Sequence, residues 1–219
     1  KRIIGGEKVK VIIAEHSGFC FGVNRAVDIA ESTIKNSNGK SIYSFGPLIH
    51  NTQAVEKFNN EGLIQIDNID DIKGEKLIIR SHGVPPEVEK KAEDLNIELI
   101  DATCPYVKAI HKRVRKYKDN GYDIIIIGDK NHPEVIGING YCDNEGIVLN
   151  TVDEAINLPK YDKVCVVSQT TNTREKFDAI SKVLLEKANE VEIFNTICNA
   201  TDLRQKAAME LAKQVDAII

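Results

Sequence analysis

The chain alternates short runs of aliphatic and β-branched residues with longer amphipathic stretches. Runs of four or five such residues, bounded by polar or turn-forming residues, are typical of β-strands. The runs that predict strands are VKVII at 9–13, SIYSF at 41–45, KLIIR at 76–80, ELIDA at 98–102, DIIII at 123–127, GIVL at 146–149, KVCVV at 163–167 and EVEIF at 190–194. The isoleucine run at 124–127 lacks apolar–polar alternation, as expected of a parallel strand that is buried on both faces.

The amphipathic stretches between these runs predict helices. In segment 22–36 the apolar residues recur at helical spacing, so that one face is hydrophobic from Val23 to Ile34. Segments 85–96 and 105–117 begin with prolines, which are favoured in the first turn of a helix. Strands and helices in alternation predict an α/β protein built from small parallel sheets with helices on their faces. Ligands of such sheets bind beyond the carboxyl ends of the strands, where we look for functional residues.

Composition and charge argue against several classes of protein. The 219 residues are 42% hydrophobic and 28% charged, which is typical of a globular protein with a core. The 29 Lys and Arg are outnumbered by 33 Asp and Glu, so no basic face for nucleic acid is indicated. The longest apolar run is far shorter than the roughly 20 residues that span a bilayer, and no signal-peptide pattern opens the chain. We therefore expect a cytoplasmic protein that binds neither nucleic acid nor membrane.

Three of the five cysteines occupy the same kind of position, between the end of a predicted strand and the start of a predicted helix. They are Cys20, Cys104 and Cys198. The intervals between them are 84 and 94 residues, and His50 and His132 follow the first two cysteines by 30 and 28 residues. This periodicity predicts a pseudo-threefold repeat of a small α/β unit. The predicted units are 9–103, 104–197 and, only begun, 198–219.

Three such units around an axis would bring the strand-end thiols together at the centre. Thiolates at helix N-termini have lowered pKa values and are ligands for iron–sulfur clusters or zinc. A four-iron cluster held by three cysteines has one iron without a protein thiolate, and that iron can bind substrate. The alternative for each cysteine taken alone is a small buried hydrophobe. That interpretation applies to Cys165, which lies inside an apolar strand, whereas Cys142 lies in a loop and is taken as an incidental thiol.

The loops that follow the predicted strands carry a set of polar residues. These are His50, His82, His132, Glu134, Gln169, Thr170 and Thr171. Imidazoles at this edge of a sheet can supply hydrogen bonds and positive charge to a phosphorylated anion. A glutamate beside an apolar cluster would have a raised pKa and could donate a proton to a leaving hydroxyl. The alternatives are a solvated first-turn position for Glu134 and, for the threonines, a helix N-cap for which Asn172 competes. His16 and His111 are left unassigned.

Together these motifs resemble one family, the iron–sulfur reductases that convert 4-hydroxy-3-methylbut-2-enyl diphosphate into isopentenyl and dimethylallyl diphosphate, the last step of the non-mevalonate isoprenoid pathway. The motifs that carry the resemblance are GFCFGV at 18–23, LIHN at 48–51, SHGV at 81–84, DATCP at 101–105, HPEV at 132–135, SQTT at 168–171 and ICNAT at 197–201. Each motif is short, but they run in the family's order over nearly the whole chain.

The resemblance implies a three-lobed α/β fold around a central 4Fe-4S cluster. The implied cluster ligands are Cys20, Cys104 and Cys198, with the apical iron left to take the substrate's hydroxyl oxygen. The implied lining of the diphosphate and hydroxyl pocket is His50, His82 and His132, with Thr170 and Thr171 in the same polar relay. Glu134 would deliver the proton that turns the hydroxyl into water. Two electrons would arrive singly from ferredoxin or flavodoxin.

The chain departs from the family's pattern in two places. EHS precedes GFC, where we expect an Arg or Lys near the cysteine loop in many members. Only 21 residues follow Cys198, so that the third unit is short on the repeat's own period and the family's later diphosphate ligands would lie outside it.

Two other functions remain open. A zinc- or thiol-dependent hydrolase of a phosphorylated substrate is disfavoured because small zinc sites usually pair ligands about two to four residues apart, and no CxxC exists here. The other alternative is a folded fragment that binds cluster or phosphate without turnover.

Overall fold

The computed structural model describes residues 9–73 and 76–219. The helices and strands alternate along the chain. They are α1 Phe21–Lys35, β1 Ile42–Phe45, α2 Thr52–Asn60, β2 Leu63–Ile66, a 3-10 turn at Ile69–Asp71, β3 Lys76–Ile79, α3 Pro86–Asp94, β4 Glu98–Asp101, α4 Pro105–Asp119, β5 Asp123–Ile127, α5 Pro133–Gly140, β6 Ile147–Leu149, α6 Val152–Ile156, β7 Tyr161–Ser168, α7 Arg174–Leu184, β8 Ala188–Ile193 and α8 Asn199–Ala212.

The strands form two four-stranded sheets with the same strand order, β2-β1-β3-β4 and β6-β5-β7-β8. Every pairing in both sheets is parallel. The equivalence extends to single hydrogen bonds. After β1 the Gly46 amide donates to the Ile66 carbonyl at 2.7 Å, and after β5 the Gly128 amide donates to the Leu149 carbonyl at 2.8 Å. The predicted α/β class and the repeated parallel-sheet unit are therefore confirmed.

The core of each unit lies on both faces of its sheet, which explains the missing alternation in the isoleucine run. Ile124 and Ile126 pack on one face of β5, against residues of α4 and α5. Ile125 and Ile127 pack on the other face, against residues of α7. All four isoleucines are at most 2% exposed. Because helices cover both faces of this strand, none of its isoleucine side chains faces solvent and the sequence shows no apolar–polar alternation.

Helix starts are encoded locally by caps and prolines. The Asn51 side chain accepts a hydrogen bond from the Ala54 amide at 2.8 Å and begins α2. A capping box between Thr151 and Glu154 begins α6. Proline occupies the first turn of α3, α4 and α5. A cysteine occupies the N-cap position of α1, α4 and α8, and in α4 it is followed by the first-turn proline.

The prediction of a strand at 9–13 is wrong. These residues form neither helix nor strand, and the side chains of Val9, Val11 and Ile13 are 80–85% exposed. A strand requires a hydrogen-bonded neighbour, and none of the described strands pairs with this run.

The strands of the first sheet lie within 9–103 and those of the second within 104–197, while 198–219 contributes α8 and no strand. The division of the chain into three domains at these boundaries stays a prediction. None of the helices in the described part of the chain is long and apolar enough to cross a membrane.

Candidate active site

A cavity of about 580 Å³ lies beyond the carboxyl ends of the strands, as the parallel topology predicts. It is lined by residues from both sheets' loops and from α8. The predicted site residues in its wall are Cys20, Cys104, Cys198, His50, His82, Glu134, Thr170 and Thr171. His132 is not among the lining residues, but its ring lies against those of His50 and His82. The fold thus brings residues as far apart in sequence as Cys20 and Cys198 to one cavity.

The three cysteines stand at helix N-termini, and main-chain hydrogen bonds anchor two of them to neighbouring loops. The Cys104 amide donates to the Ser81 carbonyl and the Cys198 amide donates to the Thr170 carbonyl, both at 2.9 Å. The two acceptors belong to the equivalent motifs SHGV and SQTT. All three thiols are half-buried and free of disulfide bonds.

The thiols are near enough to influence one another. Burial raises the pKa of the Cys104 thiol, the amides of Tyr106 and Val107 lower it, and charge on Cys198 or Cys20 would raise it further. A Cβ atom placed on Gly22 would lie 2.5 Å from the Cys104 sulfur, so the first turn of α1 must pass this thiol without a side chain. Three soft, reduced thiols facing one cavity fit an iron–sulfur cluster in donor type and number.

The other two cysteines belong to the core. Cys142 and Cys165 are both 0% exposed and pack in the same hydrophobic cluster. Burial raises the pKa of Cys165 to about 12, so its thiol stays protonated and unreactive. The Cys142 thiol donates to the Asn139 carbonyl at 3.2 Å. Cys142 lies in a turn and outside the cavity wall, as expected of a thiol that is not a ligand, and the structure adds that it is a buried packing residue.

The three predicted histidines form one group. The ring centroid of His50 lies 4.4 Å from that of His82 and 5.4 Å from that of His132, and the last two rings are 5.5 Å apart. Burial and the charge of its neighbours lower the pKa of His82 to about 3, and burial also lowers the pKa of His50 and His132. The imidazoles are therefore largely neutral at pH 7.

The orientation of His132 indicates what this group binds. Its Nδ1 accepts a hydrogen bond from the Glu134 amide at 3.1 Å and caps α5. A neutral imidazole that accepts at Nδ1 carries its proton on Nε2, so the free nitrogen is a donor. Nitrogens of the three rings lie within 4.8 Å of one another, a spacing that could also hold a metal ion. The Nε2 donor of His132 favours an anion over a metal.

Glu134 is buried and held by a single residue. It is 1% exposed, so that the alternative of a solvated first-turn glutamate is wrong. Its Oε1 accepts from the Thr170 amide and its Oε2 from the Thr170 hydroxyl, each at 2.6 Å. Burial raises the pKa of Glu134, and the two hydrogen bonds from Thr170 oppose that shift. The arrangement can store a proton on a carboxyl group and conduct it through a hydroxyl.

Gln169 and Thr171, on either side of Thr170 in the SQTT motif, form hydrogen bonds of their own. The Gln169 amide group donates to the Thr171 hydroxyl at 2.8 Å, and its oxygen accepts from the Asp129 amide at 3.1 Å. The alternative of an N-cap role for Thr170 or Thr171 is wrong, because Thr173 caps α7.

A sequence model described as LytB protein matches residues 11–219. The chain belongs to the LytB family. A 4-hydroxy-3-methylbut-2-enyl diphosphate reductase of Caldanaerobacter subterraneus is 46% identical over 213 residues, which are 96% of this chain and 74% of that protein. The reductase of the same name from Aquifex aeolicus is 45% identical over 214 residues, 96% of this chain and 74% of the relative.

Solved structures of LytB reductases share the fold. One, of (E)-4-hydroxy-3-methyl-but-2-enyl diphosphate reductase, described as the terminal enzyme of the non-mevalonate pathway, has a TM-score of 0.74 at 46% identity. The match covers 94% of this chain and 74% of that one. The Plasmodium falciparum reductase has a TM-score of 0.83 at 31% identity, covering 91% of this chain and 64% of the other.

Two residues near this LytB site were missed in the sequence. Arg80 follows β3 directly, and its charge contributes to lowering the pKa of all three histidines. Its position directly after a strand, where ligands of parallel sheets bind, could have identified Arg80 as a site residue. His111, left unassigned, is buried and stacks on Tyr141 at 4.2 Å. It lies under the His82 loop, since a Cβ on Gly83 would approach its ring at 2.6 Å. His16 lies outside the cavity wall.

Proposed function

We propose that this chain carries out the reductive dehydroxylation of 4-hydroxy-3-methylbut-2-enyl diphosphate to isopentenyl and dimethylallyl diphosphate. The proposal rests on one observation above all. A single cavity joins three half-buried thiols, a group of imidazoles and a buried carboxyl group paired with a hydroxyl. The relatives reported above, at 45–46% identity, are reductases of this substrate.

The cofactor is a 4Fe-4S cluster, as is usual for reductases of this family. Cys20, Cys104 and Cys198 would be its three ligands. When bound, the cluster supplies electrons one at a time and a Lewis-acidic iron. The chain supplies the cavity that admits the substrate.

The histidine group binds the diphosphate. His50, His82 and His132 present imidazole N–H groups to the anion, and the charge of Arg80 adds to the attraction. The Thr171 hydroxyl lies in the same wall. Because His132 is fixed by its bond to the Glu134 amide, anion binding and proton delivery are positioned by one helix end.

Glu134 and Thr170 move the proton. The protonated carboxyl group donates to the Thr170 hydroxyl, and that hydroxyl donates to the leaving hydroxyl of the substrate. With the two electrons, the C–O bond breaks and water leaves with the transferred proton. The remaining allyl anion takes up a second proton to give isopentenyl or dimethylallyl diphosphate. Burial favours the protonated form of Glu134 before the substrate is bound, because it penalises the carboxylate.

Two electrons are required for each substrate, and we assign their delivery to ferredoxin or flavodoxin. A cytoplasmic location is part of the same proposal.

The test is metal and sulfide analysis of the anaerobically purified chain, followed by turnover of the diphosphate with a chemical reductant. We expect iron and acid-labile sulfide in equal amounts and a visible absorbance that bleaches with dithionite. Cys20→Ser, Cys104→Ser and Cys198→Ser should each lose iron. Cys142→Ser is the matched control, since its hydroxyl can keep the bond to the Asn139 carbonyl, and should retain iron. Unchanged iron in all three ligand variants would falsify the proposal.

A zinc-dependent hydrolase remains the second candidate, because the nitrogens of three imidazoles lie within 4.8 Å of one another. The same metal analysis decides between the two. Zinc without sulfide, lost in a His82→Ala variant and retained in the cysteine variants, would favour the hydrolase.

A further inference from the structure

Arg25 connects the helix that follows one cysteine to the loop that precedes another. It lies in α1, five residues after Cys20. Its Nη1 donates to the Thr103 carbonyl at 3.1 Å and its Nη2 donates to the Asp101 carbonyl at 3.2 Å. Both acceptors lie in the four residues that end at Cys104. In the described chain, no other side chain of α1 forms a hydrogen bond to this loop.

Arg204 makes an equivalent connection at a second junction. It lies in α8, six residues after Cys198. Its Nη2 donates to the Gly18 carbonyl, two residues before Cys20, at 2.6 Å. Two arginines therefore link the cysteine segments through hydrogen bonds. Arg204 links the helix after Cys198 to the loop before Cys20, and Arg25 links the helix after Cys20 to the loop before Cys104. No Arg or Lys stands in the EHS segment directly before GFC, but Arg204 of α8 places a positive charge at this loop.

Hydrogen bonds within the loop 101–104 and to the neighbouring Ser81 fix the main chain before Cys104. The Asp101 carboxylate accepts from the Thr103 amide at 2.8 Å, and the Cys104 amide donates to the Ser81 carbonyl at 2.9 Å. The Cys104 sulfur lies directly against Gly22 of α1. The contact between α1 and this loop thus sets the separation of the Cys20 and Cys104 thiols, and Arg25 holds the contact with two hydrogen bonds.

We propose that Arg25 and Arg204 are positioning residues that fix the mutual placement of the three cysteine thiols. This inference rests on the proposed function, since the thiols are placed to receive a cluster. A guanidinium group suits the task because its planar fork can bind two carbonyl oxygens at once, which a lysine ammonium cannot do with the same geometry. Both guanidinium groups are positively charged, and Arg204 lies in the wall of the cavity that the three thiols line.

The first test uses the metal-free chain and needs no cluster. Amide hydrogen exchange is measured at Ala102 and Cys104, whose amides bond to the Ile79 and Ser81 carbonyls. In Arg25→Gln we expect exchange at both amides to become about tenfold faster, because the loop loses two hydrogen bonds to α1. Arg25→Lys should fall between Arg25→Gln and the wild type. Arg115→Gln is the matched control and should leave the exchange unchanged, since this arginine on α4 forms ion pairs with exposed Asp143 and Asp119.

The second test measures the cluster. The wild type, Arg25→Gln, Arg204→Gln and Arg115→Gln are reconstituted with iron and sulfide, and two quantities are recorded: the rate of iron loss to a chelator and the midpoint potential. Both site variants should lose iron about tenfold faster than the control. Their midpoint potentials should shift to more negative values, because a positive charge that favours the reduced cluster has been removed. A purely structural role would not move the potential of the clusters that remain.

The outcomes separate this inference from the proposed function. A wild-type chain that takes up no iron and sulfide overturns the proposed function and this inference with it. A wild-type chain that holds a cluster, with Arg25→Gln and Arg204→Gln equal to the control in iron loss and potential, overturns the inference alone. Faster exchange with an unchanged cluster also overturns it, since the arginines would then support only the fold.

Discussion

Glu134 and Thr170 are joined by two hydrogen bonds across 36 positions of sequence. The Thr170 amide donates to one carboxylate oxygen, and this bond holds the other oxygen towards the Thr170 hydroxyl, at 2.6 Å. Both residues line the cavity, yet Glu134 is 1% exposed and Thr170 is 7% exposed. The proton of a buried acid can therefore reach the cavity through a hydroxyl without the acid itself facing water.

Replacing the acid should stop the chemistry and leave the cofactor in place. Glu134→Gln keeps an oxygen for the Thr170 amide and removes the transferable proton. We expect kcat to fall at least about 100-fold, the range typical of a lost general acid, with iron content unchanged. Iron analysis and turnover on the same preparation check this. Activity within a few-fold of the wild type would exclude Glu134 as the proton donor.

The same residue should make stability depend on pH. Burial raises the pKa of Glu134 above its ordinary value of 4.5, so the native state keeps a proton that the unfolded chain has already lost. This contribution is fully present below the ordinary value and is lost as pH rises through the raised pKa. Relative to Glu134→Gln, the wild type should lose free energy of unfolding from about pH 4.5 upwards. Urea denaturation of both proteins across this range measures the difference, and parallel pH curves would contradict it.

The Thr170 hydroxyl can be tested apart from its amide. Thr170→Val preserves the shape and the amide bond to Glu134 but removes the relay hydroxyl, whereas Thr170→Ser keeps it. We expect kcat to fall at least about tenfold in the valine variant and to stay near the wild-type value in the serine variant. Equal rates in the two variants would show that the proton takes another route.

Binding of the diphosphate should take up protons at the histidine group. Burial lowers the pKa of His50, His82 and His132 in the free protein, that of His82 to about 3. An anion at these rings favours their charged form and raises these pKa values, so affinity should increase as pH falls from about 7 to about 5.5. Calorimetric titration of the substrate in buffers of different ionisation enthalpy counts the protons. Affinity that falls with falling pH would place the diphosphate elsewhere.

Gly22 provides a test of the thiol site by volume alone. A Cβ at this position would lie 2.5 Å from the Cys104 sulfur, which must therefore move in Gly22→Ala. We expect iron to be lost about tenfold faster than in the wild type. Gly39→Ala is the control. Its φ of 81° is strained for alanine, so it costs about 1 kcal/mol of stability, but nothing lies within 4 Å of the added Cβ. If Gly22→Ala retained iron as well as Gly39→Ala does, iron binding would not depend on the present position of the Cys104 thiol.

Sequence patterns predicted the strands of both sheets except β2, which was missed: Leu63 and Ile66 at its ends are buried, but its two central residues are exposed. The run at 123–127 matches β5 residue for residue, and Pro105 marks the true start of α4. The run at 9–13 has the same composition as a strand but has no described neighbour to pair with, and periodicity alone carries no information on pairing. The three cysteines at helix N-caps were found because the start of a helix is a local signal, although no described strand precedes Cys20.

The sequence by itself determined the parallel α/β layers, the recurrence of cysteine at helix starts and the order of the motifs, because caps, prolines and apolar periodicity act between neighbours along the chain. Only the tertiary structure decided that Glu134 is buried against Thr170 and that Arg25 reaches a loop 78 positions away. These contacts form only when segments far apart in sequence pack together in the folded chain. The residues next to a polar side chain in sequence reveal neither its burial nor its partner.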